Sequence, residues 1–172
     1  MARKHTIGKP NGKPEKPRQK TPELIYESCR TLAFMSIEPT VEVGDIAYSW
    51  RIDIDTDIPN EIITVRVSID GIHARKNARR KQMDDDGILF SIITANRFQG
   101  YHLANEIKVT DSRIELPAWI MATLASASLG TTRGILVAKL AGTIYSDKEL
   151  PIFNLRTLMP GIEAIEVPIH GI

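Results

Sequence analysis

The residues that could carry chemistry are few and scattered. Asp53-Ile54-Asp55-Thr56-Asp57 sets three carboxylates at alternate positions. Alternate residues of a strand share one face, so these oxygens could together meet a hard cation. No further ligand cluster stands nearby in the sequence, and a solvated strand face, with Asp57 already in a turn, accounts for the row better. The histidines are His5, His73, His102 and His170, and none has metal spacing such as H-x-x-x-H. Cys29 is the only cysteine. It could pair with a distant histidine as a nucleophile, but its place on an expected strand reads as a small buried hydrophobe. One cysteine builds neither a disulfide framework nor a Cys-based metal site, and a reducing, cytosolic compartment fits it. No G-x-S-x-G, P-loop or dinucleotide fingerprint occurs. The sequence therefore does not support an enzyme, and it calls for no cofactor or metal.

Arg75, Lys76, Arg79, Arg80 and Lys81 could touch phosphate. Asp84, Asp85 and Asp86 follow at once and would repel it, and few aromatics interleave for base stacking. This stretch, within residues 72–86, reads as a solvated charged loop.

The elements that would position any site are organised around Leu116 to Gly142. Every fourth residue there is small: Ala118, Ala122, Ser126, Gly130, Gly134, Ala138 and Gly142. In a helix these positions form one smooth ridge, along which another backbone can approach closely. Trp119, Ile120, Met121, Leu124, Leu129, Ile135, Leu136, Val137 and Leu140 surround it. The spacing predicts a long helix, apolar almost all round in its first half and hence buried. Pro117 suits its first turn and Gly142 its stop. A break into two helices at Gly130–Gly134 is the competing reading, since glycine is poor inside a helix. A membrane span fits less well: Thr123, Ser126, Ser128, Thr131 and Thr132 interrupt the apolar run, and a span needs about 20 mostly apolar residues.

Before the helix, strand patterns dominate. Leu24–Ile37 reads as a first strand, bent near Cys29–Arg30. Tyr48, Trp50, Ile52 and Ile54 alternate with Ser49, Arg51, Asp53 and Asp55, and Ile63, Val65, Val67 and Ile69 alternate with Thr64, Arg66, Ser68 and Asp70. Strict alternation means strands with one buried and one wet face. The short Thr56–Glu61 link, with Pro59 and Asn60, makes them an antiparallel hairpin. Gly87–Ala95 is apolar on both sides, so it is a central or helix-covered strand, and Asn96–Asp111 continues irregularly. After the helix come a polar turn at Tyr145–Glu149, an extended Leu150–Leu155, and an apolar tail over 156–172 without a clear period. Strands followed by a helix predict an α+β fold: an antiparallel sheet of about four strands with the long helix packed on one face.

The chain has 172 residues and a formal net charge of +1. Residues 1–20 hold seven Lys/Arg against Glu15 alone, which leaves 15 basic and 20 acidic residues, a balance near −5, for 21–172. Residues 1–22, rich in Lys, Pro and Gly, read as a disordered basic tail, and 23–172 as one folded domain. The tail is either a solubilising leader or an arm for nucleic acid or an acidic partner. No apolar run follows its charges, so no signal peptide is expected. One helix on four strands cannot easily hide the helix all round, both sides of Gly87–Ala95 and the Leu150–Ile172 segment. Surplus apolar surface points to oligomerisation or to apolar partners.

The strand order, the alternating hairpin, the Leu116-Pro117 entry with Trp119 into the helix, and the Leu150-Pro151 extended segment resemble the SecB export chaperone family. The similarity is closest to its divergent SecB-like branch. There Thr131-Thr132-Arg133-Gly134-Ile135-Leu136, Gly142-Thr143 and Leu150-Pro151-Ile152 follow in the same order, within about residues 25–160. The resemblance implies a cytosolic holdase without cofactor, a dimer of dimers with long helices sandwiched between two sheets, and apolar grooves for unfolded preproteins. Delivery to the SecA motor, or chaperoning of an antitoxin, is implied with it. The basic tail has no counterpart in the family, and its acidic motor-docking surface maps onto no specific residues here.

On this reading the peptide groove would take Trp50, Phe98, Tyr101, Ile152, Phe153, Leu155, Leu158 and Met159, since aromatics and Met make adaptable apolar surface. For each, ordinary core is the competing role, and for Trp50 it is the favoured one. The subunit interface would take Ala118, Ala122, Ser126, Gly130, Gly134 and Ala138. The alternatives are a nucleic-acid-associated accessory protein, binding through residues 1–20 and 75–81, and a purely structural oligomer.

Overall fold

The computed structural model describes residues 21–39, 43–73, 87–103, 106–110, 113–150 and 164–168. Strands β1 (Glu23–Ser36), β2 (Ile46–Asp57), β3 (Ile62–His73) and β4 (Ile88–Tyr101) form one antiparallel sheet in the order β1-β4-β3-β2. Read from β4 backwards, this is the Greek-key order: three hairpin neighbours, with the remaining strand placed beside the first of them. Helix α1 (Ala118–Leu140) follows the sheet and packs on β3 and β4. The fold is thus α+β, a four-stranded antiparallel sheet followed by one long helix.

Alternation builds the sheet. Ile63, Val65, Val67 and Ile69 of β3 are buried, while Thr64, Arg66, Ser68 and Asp70 are more open. Phe90, Ile92 and Phe98 of β4 continue the same inner face. The β2–β3 link is a short 3-10 turn, Ile58–Asn60. Both the backbone N–H and the side-chain amide of Asn60 donate to the Asp57 carboxylate, at 3.4 and 2.9 Å. Glu61 closes the turn with a left-handed φ of 53°. Gly71 has no side chain because a Cβ there would strike the Phe90 ring.

β4 is longer than its sequence suggests. Asn96, Arg97, Gln99 and Gly100 do not read as strand, yet β4 runs unbroken to Tyr101. β1 carries two register shifts against β4, between Tyr26 and Ser28 and between Thr31 and Ala33, so the expected bend is two bulges flanking Cys29–Arg30. Cys29 is half-buried on this strand. A second sheet, β5 (Lys108–Thr110), β6 (Arg113–Pro117) and β7 (Ala164–Pro168), has the order β5-β6-β7. It replaces part of the expected irregular stretch and gives the periodless tail one strand. Leu116 and Pro117 belong to β6, and the helix begins at Ala118.

α1 is continuous through Gly130 and Gly134. Its inner side, with Ile120, Met121, Leu124, Leu129, Leu136 and Leu140, completes the core. It ends at Leu140, and Gly142 adopts a left-handed φ of 79° just beyond. Length and composition alone would let it cross a membrane, but its inner side is packed on this chain's own sheet. The expectation of all-round burial fails on the other side, where Trp119 is 43 % and Val137 55 % exposed. A single sheet covers only one side of a helix.

A polar ladder crosses the apolar layer. The Tyr26 hydroxyl donates to Asn96 Oδ1 at 3.1 Å, and Asn96 Nδ2 donates to Thr94 Oγ1 at 3.1 Å and to the Val65 carbonyl at 3.3 Å. Thr94 and Thr132 hydroxyls lie 2.6 Å apart, and Thr132 donates to the Ser128 carbonyl at 2.7 Å. Thr132 therefore has its proton engaged, so Thr94 donates to Thr132. Asn96, Thr94 and Thr132 are fully buried.

Residues after the helix fold back over the sheet. Tyr145 is buried, stacks edge-on against Phe90 at 5.2 Å and donates to the Ile37 carbonyl. Tyr48 donates to the Glu149 carbonyl at 3.0 Å. The stretch 74–86, with its charged cluster, and residues 151–163, with the extended segment, lie outside the described residues, as does the tail 1–20.

Two consequences are measurable. Thr132→Val keeps the shape of the side chain but leaves the Thr94 proton unpartnered in the core. We expect it to lower the unfolding free energy by about 1–3 kcal/mol, with an unchanged urea m-value. Burial, with the Glu38 carboxylate as a lesser cause, holds the Tyr145 phenol above its ordinary range. The unfolded chain then ionises first, near pH ~10, so this stabilisation is complete below that pH and is lost as pH rises through the folded value. A Tyr145→Phe variant should start less stable and fall less steeply above pH ~10 in a urea-midpoint series.

Candidate functional site

The most conspicuous unfilled surface is the outer side of α1. Ala122, Thr123, Ser126, Gly130, Gly134 and Ala138 are all exposed there, flanked by Trp119 and Val137. No charged residue occurs from Ala118 to Thr132. The two cations that follow are drawn aside: Arg133 Nη2 donates to the Leu150 carbonyl at 3.2 Å, and Lys139 Nζ sits 5.8 Å over the Phe34 ring. The result is an uncharged strip along a helix about 34 Å long, at 1.5 Å rise per residue.

Five of the six expected interface residues, Ala122, Ser126, Gly130, Gly134 and Ala138, lie on this open side, and Ala118 is half-buried at its start. A Cβ added at Gly130 or Gly134 would meet nothing within 4 Å. The chain's own packing therefore does not require glycine at either place, although each costs the helix about 1 kcal/mol relative to alanine.

A second open surface is β1, an edge strand. Ile25, Tyr26, Leu32, Met35 and the adjoining Ile37 expose apolar side chains along it. Its bulges are the usual device against indiscriminate edge pairing. The third feature is a cleft of about 110 Å³ at the end of the sheet, lined by Ile58, Ile62, Ile63, Leu103, Ile107 and Val109, with Thr56, Asp57 and Glu61 at its polar margin.

The three expected groove residues that are described, Trp50, Phe98 and Tyr101, do not gather. Phe98 is 2 % exposed, in edge contact with Tyr26 at 5.1 Å, so it is core rather than groove wall. The inward parity of β4 puts it there. Tyr101 is exposed at the end of β4, and three positions on from Phe98 it has the opposite parity, toward the other face. Trp50 is half-buried against the core on β2, in the cross-strand row of Ile69 and Ile92. That row lies six residues from Phe98 along the sheet, about 20 Å at 3.3 Å per residue. Ile152, Phe153, Leu155, Leu158 and Met159 lie outside the described residues. Sequence reasoning missed the cleft, because Leu103 and Ile107 stand in a stretch without period and Ile58 in a turn.

Nothing in the carboxylate row is arranged for a cation. Asp53 pairs with Arg51 at 3.5 Å, Asp55 with Arg66, and Asp57 holds Asn60. Among the described residues no group of three His, Cys, Asp or Glu could hold a metal ion. No family model, no curated protein and no solved structure matches this chain.

The open glycines give a direct test. Gly130→Ala and Gly134→Ala should each stabilise the dilute chain, by up to about 1 kcal/mol, through helix propensity. If a second backbone lies against them, the same changes should weaken self-association in sedimentation velocity. Association that is unaffected by both substitutions would show that nothing packs closely on the ridge.

Proposed function

We propose that this protein is an ATP-independent chaperone of the SecB type, a cytoplasmic holdase that binds extended, non-native polypeptide through apolar surface. The observation that carries the reading is the uncharged outer side of α1, where Gly130 and Gly134 face open space. A four-stranded sheet with a helix on one face buries half of that helix and leaves the other half to a second layer. A helix layer between two sheets, as the SecB resemblance implies, supplies such a layer from another copy. The exposed apolar edge β1 offers a second self-complementary surface, as a dimer of dimers requires. Clients would be unfolded preproteins or an antitoxin, with the SecA motor as a downstream partner in the former case.

Apolar recognition without sequence reading needs little charge, so it survives salt. At near-stoichiometric ratio and without nucleotide, the purified protein should suppress aggregation of a chemically unfolded polypeptide in light scattering, at low and at moderate salt alike. No suppression by a folded, assembled protein would make its apolar surface subunit interface only. Binding that instead collapses steeply with salt would favour the nucleic-acid reading through residues 1–20.

A further inference from the structure

The cleft at the sheet end joins an apolar floor to an acidic rim. One wall is the β2–β3 turn, with Ile58, Ile62 and Ile63, and the other is the stretch after β4, with Leu103, Ile107 and Val109. The walls are tied to each other. The Gly100 N–H donates to the Glu61 carbonyl at 2.7 Å, and Gln99 Nε2 donates to the Asn60 carbonyl at 3.0 Å. Gly100 is glycine by close approach: a Cβ there would strike Leu103, which is buried. The Ile107 N–H donates to the Leu103 carbonyl at 3.0 Å, which holds the second wall in its own turn. The floor is thus formed before any ligand arrives, as in most small-molecule sites.

The volume sets the size of an occupant. A cavity of about 150 Å³ lined by apolar side chains holds a molecule the size of benzene. At about 110 Å³ this cleft suits a chain of about four to six carbons. The rim sets the charge. Asp57 and Glu61 stand on it, and among the described residues neither has an ion-pair partner. Asp57 accepts from the neutral Asn60, through its backbone N–H and its side-chain amide. Cations on the surrounding strands are engaged elsewhere: Arg66 with Asp55, Arg97 with Glu27 at 2.7 Å and Lys108 with Glu115 at 3.3 Å. A carboxylate or phosphate head would meet two like charges here. An ammonium has three donors and no acceptor, and it complements a rim of carboxylate oxygens.

We propose that this cleft binds a small primary aliphatic amine of about four to six carbons. Its chain lies on Ile58, Ile62 and Leu103, and its ammonium lies against the Asp57 and Glu61 carboxylates. The site is separate from the helix face and from the β1 edge, and it does not rest on the chaperone reading.

The test is a titration of n-hexylamine at neutral pH into the full chain, isotope-labelled at the isoleucine δ1 methyls and followed by NMR. Ile58, Ile62, Ile63 and Ile107 report the cleft, and the core residues Ile92 and Ile120 report the fold. The expected result is a saturable shift confined to the cleft methyls, with a Kd on the order of millimolar. Hexanol should bind at least threefold more weakly and hexanoate at least tenfold, since each exposed charge contact is worth up to about fivefold. Removing one methylene from the amine should weaken it about fourfold. Glu61→Gln should bring hexylamine down towards hexanol and leave hexanol unchanged. Val109→Trp should fill the cleft and abolish binding of all three probes; if it disturbs Ile92 and Ile120, the Glu61→Gln comparison decides alone. Hexanol or hexanoate binding as tightly as the amine would overturn the assignment of the ligand. Shifts outside the cleft, or shifts that survive a folded Val109→Trp chain, would overturn the site. No saturable shift at millimolar amine, with native Ile92 and Ile120 signals, would overturn both.

Discussion

The hydroxyl pair Thr94–Thr132 is the directional contact between α1 and the sheet. Hydrophobic burial takes the large side chains Ile120, Leu124, Leu129 and Leu136 inward and leaves the small ridge outside, but it is non-directional and does not by itself fix the fine setting of the helix. A hydroxyl buried without a partner costs about 1–3 kcal/mol. Thr132 is therefore held 2.6 Å from Thr94, although Ser128 one turn earlier goes inward with its own Oγ unpartnered, which offsets part of the gain. The ladder through Asn96 to Tyr26 extends the same constraint across to the edge strand. Once that side is fixed inward, Ser126, Gly130, Gly134 and Val137 have nowhere to go but out.

The ends of the sheet are secured by different means. Tyr145 and Tyr48 bring the chain after α1 back across it, each burying a ring against Phe90 while its hydroxyl finds a backbone carbonyl. At the other end, the turn at Asp57–Glu61 is locked by Asn60 and by the bond from Gly100. That end holds the cleft, where Ile58, Ile62 and Ile63 meet Leu103, Ile107 and Val109.

The sequence made the β2–β3 hairpin legible because its outer face is wet: Asp53, Arg66 and Ser68 spell out the parity that Ile54, Val65 and Val67 obey. It made α1 legible by length and by its stop at Gly142. It concealed the second half of β4, where Asn96 reads as a loop residue and is in fact a buried rung whose hydrogen bonds satisfy it. It also concealed the rotation of α1. The large apolar residues around the small ridge read as a helix buried all round, and within this chain the ridge, expected at a subunit interface, is the uncovered side. Periodicity reports which residues share a face, not which neighbour that face will meet. Among the groove candidates, residue type brought in Phe98, and only the continuation of β4 past Asn96 shows that it shares the inward parity of Ile92.

The two large open surfaces differ in the way they can be satisfied. An edge strand is completed by lengthening the sheet, and a helix face by adding a layer. Two such self-complementary contacts, each about its own two-fold axis, close into a four-copy assembly and leave neither surface free. Neither contact would run over the end of the sheet where β2 turns into β3, because one would lie along the edge of β1 and the other above α1. The cleft of Ile58, Ile62 and Leu103 would therefore stay accessible in such an assembly, once per chain.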